Sequence, residues 1–396
     1  MSPQKVTLIL SLLLSHVLGA TTCTTSVNIG YDVQETSRQA SNAAKANWEW
    51  GTQAEALLEL QNSGISVFSD SAFPSGKVPK VQTAATDYAK SKIKTSGNTL
   101  TAAGGKRLSD QNTKMVANER IVSAGDPASL IVPAVLLGQS DPIYLQAAER
   151  QINELLTRVP RYSNGAISHR YDGKALWSDF IYMVPPSLAY YGVATNNISL
   201  VQEAVRQVSL YRNILQDQKT GLWKHIAGGK GDAGTWSTGN GWAAAGITRV
   251  LATLTNLGPG RNLTSERQSL VQYAAEIIDG AIKNTGDASN GLLHNYITDA
   301  STFPEAAGTA ALAAAVYRLA VLEHTTFAQP RYLDWADARR IAVGKSVKSS
   351  GQVSPVVNPN KYTQNTPYSG VSPEAQSFTV LLYAAYRDCI CAGYCK

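Results

Sequence analysis

Apolar residues recur every three or four positions along most of the chain, which is the spacing of one face of an α-helix. Two consecutive segments show this pattern with the residues Ala243, Ile247, Val250, Leu254 and Leu257, and then Leu270, Ala274, Ile277, Ile278 and Ala281. Between them stands Gly258-Pro259-Gly260, and glycine and proline are typical of helix ends. The pattern predicts about eleven or twelve helices of about 12 to 20 residues, each with one apolar face.

Proline marks four predicted helix starts: Asp126-Pro127, Asp141-Pro142, Phe303-Pro304-Glu305 and Ser372-Pro373-Glu374. Proline suits the first turn because no amide hydrogen is needed there, and an Asp or Ser before it is expected to cap the helix. The helices are too numerous for a four-helix bundle and lack the register of a short repeat. No low-complexity linker divides the chain, so we expect one all-α domain over residues 21–396, with helical hairpins in a closed ring.

The first 20 residues differ in character. Lys5 precedes the apolar stretch Val6–Leu14, and small residues follow at Gly19-Ala20, which is typical of a secretory signal peptide at residues 1–20. A transmembrane anchor is the alternative, but the stretch is shorter than the roughly 20 apolar residues that span a bilayer. We therefore expect a secreted, extracellular protein, and Asn197 and Asn262 begin sequons for glycosylation.

The four cysteines stand at the two ends of the chain, as Cys23 and as Cys389, Cys391 and Cys395. If all four form disulfides, Cys23 must pair with one of the other three, which would tie the chain ends together. A bridge between Cys389 and Cys391 would be cramped, so we expect Cys395 in the local bridge. A zinc site with four thiolates is the alternative, and an oxidising compartment disfavours it.

Composition and charge exclude several classes of protein. Of the 396 residues, 44% are hydrophobic and 16% are charged, so the chain can build a large core. The net charge of +6 is spread without a basic run, so nucleic acid is not an expected partner, and no later apolar run points to a membrane. No metal-ligand spacing, phosphate loop or dinucleotide fingerprint occurs, so neither a metal nor a cofactor is expected. The sequence leaves the oligomeric state open.

Polar and aromatic residues gather in three segments, at 165–186, 217–225 and 234–242. Asp179 lies between Trp177 and Phe180, where removal from water would raise the pKa of its carboxyl group toward a value suited to donating a proton. The alternative for Asp179, and a stronger one for Asp126, is a helix cap.

His169 and His225 each follow a turn that contains glycine, as residues of a binding pocket do, although structural histidines are at least as common. Trp236 and Trp242 flank Gly239-Asn240-Gly241 at a predicted helix start. These two rings could form a platform on which a sugar stacks, or they could be ordinary core aromatics.

The three segments resemble, in this order, the unsaturated-uronyl hydrolases of glycoside hydrolase family 105, related to family 88, and specifically their secreted fungal branch. The most specific part is Trp177-Ser178-Asp179 followed by Tyr182-Met183 and Pro186, and the segments at 220–225 and 239–242 support it. The resemblance extends from Asp126 to Phe378. It implies an (α/α)6 barrel of six helical hairpins and a small oligosaccharide substrate with a terminal unsaturated uronic acid.

The resemblance also implies roles for individual residues. Asp179 matches the catalytic acid/base of the family, and Asp126 matches its second active-site aspartate. His169, Trp177 and His225 match residues that hold the unsaturated sugar. One position departs from the family pattern: Thr238 stands where an arginine often occurs, and an arginine there could bind the sugar carboxylate as a fork.

The implied reaction is hydration of the 4,5-double bond, in which Asp179 protonates C4, water adds at C5, and the resulting hemiketal opens and expels the neighbouring sugar. Two other functions fit the same fold. A conventional inverting glycosidase would act on saturated oligosaccharides and would need a second carboxylate as base. A carbohydrate-binding protein would bind sugar without turnover, and Thr238 is the residue that favours it.

Overall fold

The computed structural model describes residues 27–96, 99–102, 123–257, 263–285 and 290–396. Within these ranges the helices are α1 (Val33–Ala43), α2 (Asn47–Gln61), α3 (Ala84–Lys92), α4 (Ile131–Gly138), α5 (Pro142–Thr157), α6 (Phe180–Met183), α7 (Pro185–Ala194), α8 (Ile198–Leu215), α9 (Ser237–Asn256), α10 (Thr264–Lys283), α11 (Ala306–Leu322), α12 (His324–Phe327), α13 (Pro330–Lys345) and α14 (Pro373–Cys391). The strands are β1 (Ile93–Ser96), β2 (Thr99–Ala102), β3 (Leu176–Trp177), β4 (Ile226–Ala227), β5 (Leu293–His294) and β6 (Pro304–Glu305), paired antiparallel as β1–β2, β3–β4 and β5–β6.

The helices form two concentric rings. The inner helices α2, α4, α7, α9, α11 and α14 are buried along most of their length. Each contacts the next one in this order, and α14 contacts α2, so the inner ring closes. The outer helices α1, α3, α5, α8, α10 and α13 alternate with the inner ones along the chain and bury a smaller share of their residues. The predicted (α/α)6 barrel is therefore confirmed.

The periodicity predicts the outer helices better than the inner ones. In α10 the buried side includes all five apolar residues expected there, from Leu270 to Ala281. In α9 the prediction of one apolar face is wrong, because polar residues such as Thr248, Arg249 and Thr253 are buried as well. An inner helix is covered on one side by an outer helix and on the other by the barrel interior, so its polar side is also removed from water.

Two of the four predicted proline starts behave as expected. The side chains of Asp141 and Ser372 accept backbone N–H groups at the starts of α5 and α14. The start at Pro304 is wrong, because Pro304 belongs to β6 and α11 begins at Ala306. Glu305 caps α11 instead, and its carboxylate accepts the amides of the helix's first turn.

A disulfide joins Cys389 to Cys395, so the local bridge includes Cys395 as expected, and Cys391 is also disulfide-bonded. Cys23, the predicted signal peptide and Asn262 lie outside the described residues. Asn197 is exposed and caps α8 through its side-chain oxygen, which accepts the amide of Ser199. None of the helices in the described ranges combines the length and apolar character required to cross a membrane.

Charged side chains pair inside the inner ring. Glu59 of α2 accepts hydrogen bonds from Arg249 of α9 and from Arg318 of α11. Arg318 also contacts Asp388 of α14 at 2.5 Å, and Arg249 lies 3.5 Å from Glu55. Each arginine therefore has two carboxylate partners, and the network links four inner helices across the barrel.

Candidate functional site

A two-residue strand pair brings two of the candidate segments together. Trp177 of β3 pairs with Ile226 of β4, and the amide of Ser178 donates to the carbonyl oxygen of His225 at 2.9 Å. Asp179 follows Ser178 and directly precedes α6, while His225 directly precedes β4. The two side chains therefore meet although they are distant in sequence.

Asp179 and His225 form the centre of the site. The Oδ2 atom of Asp179 lies 3.4 Å from Nε2 of His225 and accepts the hydroxyl of Ser178 at 3.2 Å. On the other side of the ring, Nδ1 of His225 lies 3.0 Å from Oδ2 of Asp232. The carboxylate of Asp179 makes no capping bond to α6, so Asp179 does not act as a helix cap.

The expected direction of the Asp179 pKa is wrong for the site without substrate. Burial is the largest single influence and raises the pKa of Asp179, but the close contact with His225 and the charges of His225 and His169 together lower this pKa below its ordinary value of 3.8. For His225, burial lowers the pKa, but Asp179 and Asp232 raise it above 6.5. The two groups therefore share one proton, which rests mainly on His225.

Asp126 contacts a second histidine, His169. Its Oδ1 atom lies 3.3 Å from Nε2 of His169, and the same nitrogen lies 3.2 Å from the hydroxyl of Ser123. Asp126 is the first residue of a short 3₁₀ helix whose N-cap is Gly125, so Asp126 does not occupy the capping position. A Cβ on Gly125 would lie 2.5 Å from Nδ1 of His169, so only glycine lets the backbone approach this ring.

Aromatic rings join the two histidines. Trp177 stacks on His169 with the ring centroids 5.1 Å apart, and its ring lies 5.3 Å from that of His225 at a steep angle. Tyr362, from the segment before α14, contacts Trp177 and His225 edge to face. Trp236 lies behind His225 and is buried, with its Nε1–H donated to a side-chain oxygen.

Trp242 does not join this group. Its side chain is fully buried in the inner ring, where it packs against Tyr182 and Phe378. No face of this ring is left for a sugar, so the core-aromatic alternative describes Trp242. Thr238 is also fully buried, and its hydroxyl donates to Oε2 of Glu305 at 3.3 Å.

The candidate carboxylates are accessible. The side chain of Asp179 is 13% exposed and that of Asp126 is 22% exposed, whereas the ring of His225 is fully covered. A separate cavity inside the barrel is lined by Glu59, Arg249 and their neighbours, and it does not include the Asp179 group. Asp179 therefore keeps a contact with solvent that the ring of His225 beside it lacks.

Sequence reasoning missed three residues of this group. Asp232 lies in a glycine-rich loop whose sequence resembles an ordinary turn, and Tyr362 comes from a distant loop without a motif. Glu374 was expected only as part of a helix start. It is buried, and burial first, then the negative charges of Asp179, Glu49 and Glu305, raise its pKa well above the ordinary value.

Comparison with known proteins gives consistent matches. A family model described as Glycosyl Hydrolase Family 88 matches residues 76–387. The unsaturated rhamnogalacturonyl hydrolase YesR of Bacillus subtilis (strain 168) is 22% identical over 232 residues. That match covers 54% of this chain and 61% of the length of YesR.

Two solved structures share the fold. A possible member of the GH105 family from Klebsiella pneumoniae subsp. pneumoniae has a TM-score of 0.67 and 14% identity, covering 97% of this chain and 99% of the other. A possible member of the GH105 family from Salmonella enterica serovar Paratyphi A has a TM-score of 0.66 and 17% identity, covering 90% and 92% of the two chains.

Proposed function

Because the chain belongs to glycosyl hydrolase family 88, we propose that it hydrolyses oligosaccharides that end in an unsaturated uronic acid. The family match confirms the predicted assignment to the glycoside hydrolases, and the secreted fungal branch stays a prediction. The name of the Bacillus subtilis relative supports an unsaturated galacturonyl-rhamnose substrate from pectin. The observation that carries the proposal is the partly exposed Asp179 carboxylate paired with buried His225, beside the ring of Trp177.

The reaction that we propose is hydration of the 4,5-double bond. A substrate carboxylate that lies closer to Asp179 than to His225 would raise the pKa of Asp179 more than that of His225, and this difference would move the shared proton from His225 to Asp179. Asp179 then gives this proton to C4, which leaves positive character at C5 shared with the ring oxygen. Water adds at C5, and its proton returns to the Asp179 carboxylate. The hemiketal opens and expels the neighbouring sugar, so the enzyme ends with the proton it began with.

Asp126 and His169 have a different part in this proposal. The ring of His169 stacks on Trp177, which also contacts His225, and the paired side chains of Asp126 and His169 would hold a sugar hydroxyl or the attacking water there. The charge of His169 also favours the ionised form of Asp179.

The pH dependence of kcat/KM follows from the shared proton. In the active form, Asp179 and His225 together hold one proton between them. Below the lowered pKa of Asp179 a second proton binds to the pair, and activity is lost. Above the raised pKa of His225 the shared proton leaves, and activity is lost again. We expect a bell-shaped profile whose acid limb lies below pH 3.8 and whose alkaline limb lies above pH 6.5. The charged or titratable neighbours of the pair are Asp232, His169, Glu374, Tyr211 and Tyr362. An alkaline limb below that of free histidine would contradict the shared-proton scheme.

The substrate carboxylate needs a cation, and Thr238 does not provide one. We propose Arg170, which follows His169 directly and is about one-third exposed. Its guanidinium is held by Asp172 at 2.8 and 3.0 Å, and it interacts electrostatically with Asp126 and Tyr362 of the site. A guanidinium in this position can form a charge-assisted hydrogen bond to a carboxylate.

Arg170→Gln is therefore expected to raise KM by about tenfold while kcat stays within about threefold. A contact that is equally strong in the ground state and in the transition state contributes to binding and not to the chemical step. Steady-state kinetics on a lyase-generated disaccharide measures both constants. Arg206→Gln is the matched control, since Arg206 also forms a fork with a carboxylate but lies on outer helix α8. Equal KM values for the two variants would remove Arg170 from the binding site.

A screen of lyase-generated oligosaccharides from pectin, glycosaminoglycans and algal polymers tests the substrate class. Loss of the enol-ether ultraviolet absorbance on adding enzyme is the expected result. Cleavage of saturated oligosaccharides alone would indicate a conventional inverting glycosidase. Binding without consumption would indicate a carbohydrate-binding protein.

Secretion is also a proposal. Residues 1–20 have the features of a signal peptide, and the Cys389–Cys395 bridge suits an oxidising compartment. Mass spectrometry of the protein from culture medium would give the mature N-terminus and the occupancy of Asn197.

A further inference from the structure

Asp232 is a carboxylate that the sequence did not single out, and it contacts the nitrogen of His225 that faces away from Asp179. Its Oδ2 atom accepts the hydroxyl of Tyr296 at 2.7 Å, and its Oδ1 atom accepts the amide of Gly234 at 3.0 Å. The remaining contact is between Oδ2 and Nδ1 of His225 at 3.0 Å. An ionised carboxylate can only accept hydrogen bonds, so this contact requires a hydrogen on Nδ1.

The ionised form of Asp232 is the favoured one. Burial raises its pKa, but the hydrogen bonds from His225, Tyr296 and Gly234, with the charge of His225, lower the pKa below its ordinary value. Both neutral and protonated His225 can donate Nδ1–H to this carboxylate. The contact thus fixes which nitrogen keeps its hydrogen when the ring is neutral.

The loop from β4 to Asp232 places the Asp232 carboxylate against Nδ1 of His225. The amide and carbonyl groups of Ile226 and Asp232 bond to each other, and the amide of His225 donates to the carbonyl oxygen of Gly234. Gly228 has a φ of +82°, and a Cβ there would lie 2.3 Å from the carbonyl oxygen of Lys174. The tight loop returns the chain so that Asp232 lies beside the His225 ring.

We propose that Asp232 is a positioning residue, which holds the hydrogen of neutral His225 on Nδ1 so that Nε2 is the nitrogen that exchanges a proton with Asp179. This inference rests on the proposed function. With Nδ1 hydrogenated, the proton of the pair lies between Nε2 and the Asp179 carboxylate, and Asp179 can carry it to C4. With the other tautomer, neutral His225 would already donate Nε2–H to Asp179, which would stay ionised and have no proton for C4.

Asp232→Asn tests the inference, because an amide can also donate to Nδ1 and favour the other tautomer. We expect kcat to fall by about 10² to 10³-fold while KM stays within about threefold. The loss of a negative charge beside His225 should also move the alkaline limb of the pH profile down by about one unit. Tyr296→Phe removes one donor to Asp232 but leaves its contact with Nδ1, so it should cost less than about fivefold in kcat.

The control is Asp217→Asn, eight residues before His225, where the carboxylate accepts the backbone amide of Lys219 in its own turn. A purely structural role for Asp232 would lower the melting temperature and the amount of active enzyme without moving the alkaline limb. An unchanged limb in a folded Asp232→Asn variant would therefore overturn the proposal.

A second readout does not depend on the reaction. The chain has five histidines, so ¹⁵N-labelled imidazoles can be followed by NMR, with His225→Gln to assign the signal. The proposal predicts that neutral His225 carries its hydrogen on Nδ1 in the wild type and that Asp232→Asn lowers its pKa or changes the tautomer. An Asp232→Asn spectrum identical to that of the wild type would refute it. Failure of the wild type to consume any unsaturated oligosaccharide would instead refute the proposed function, and the NMR result would still decide the tautomer.

Discussion

Asp179→Asn is expected to lower kcat by about 10³ to 10⁴-fold, the upper range for removal of a general acid and base. The amide has the size of the carboxyl group and can still accept the hydroxyl of Ser178, but it cannot carry a proton between His225 and C4. KM should change little, because the substrate contacts that we propose for Trp177 and the histidines remain. The measurement is the initial rate of enol-ether absorbance loss at saturating substrate.

The matched control for this variant is Asp141→Asn. Asp141 caps outer helix α5 through its side chain, and asparagine is an equally good cap, so this change removes the same charge without affecting the site. Similar rates for the two variants would rule out Asp179 as the acid. A melting temperature for Asp179→Asn within a few degrees of the wild type would show that the loss is chemical.

The second large effect concerns stability. Glu59→Gln should reduce the free energy of unfolding by about 3 to 5 kcal/mol, because it leaves two buried guanidinium groups without one of their charged partners. Glu59 is 2% exposed, and its partners Arg249 and Arg318 are nearly as well covered. Denaturant or thermal unfolding measures the difference.

The control is Glu35→Gln on outer helix α1, whose partner Arg38 is 58% exposed. Exposed pairs contribute about 0 to 1 kcal/mol, so this variant should unfold close to the wild type. If Glu59→Gln were no less stable than Glu35→Gln, the buried network would not hold the inner ring together.

The architecture could be predicted from the sequence because the spacing of apolar residues within each outer helix identifies its buried face. In α10 one side faces water, so the apolar spacing alone identifies the buried residues. The burial of Arg249 could not be predicted in this way. Its carboxylate partners Glu55 and Glu59 lie on α2, and Glu59 is 190 residues away in the sequence, so only the closure of the ring brings them together.

The site shows the same division. Asp179 and Trp177 stand out because an acid among aromatic residues is locally unusual. The direction of the Asp179 pKa was mistaken, since it depends on His225, which reaches Asp179 only through the β3–β4 pairing. Asp232 and Tyr362 could not be predicted from the sequence. A loop turn places Asp232 and a distant segment places Tyr362, and the residues around each form no recognisable motif.

Hydration of the double bond is tested most directly by incubating an unsaturated disaccharide and its saturated counterpart with the enzyme in D₂O and following early products by NMR. Hydration predicts that only the unsaturated sugar is consumed, with one deuterium delivered to C4 for each neighbouring sugar released. Release of the neighbouring sugar with the double bond intact, or equal cleavage of the saturated counterpart, would contradict it.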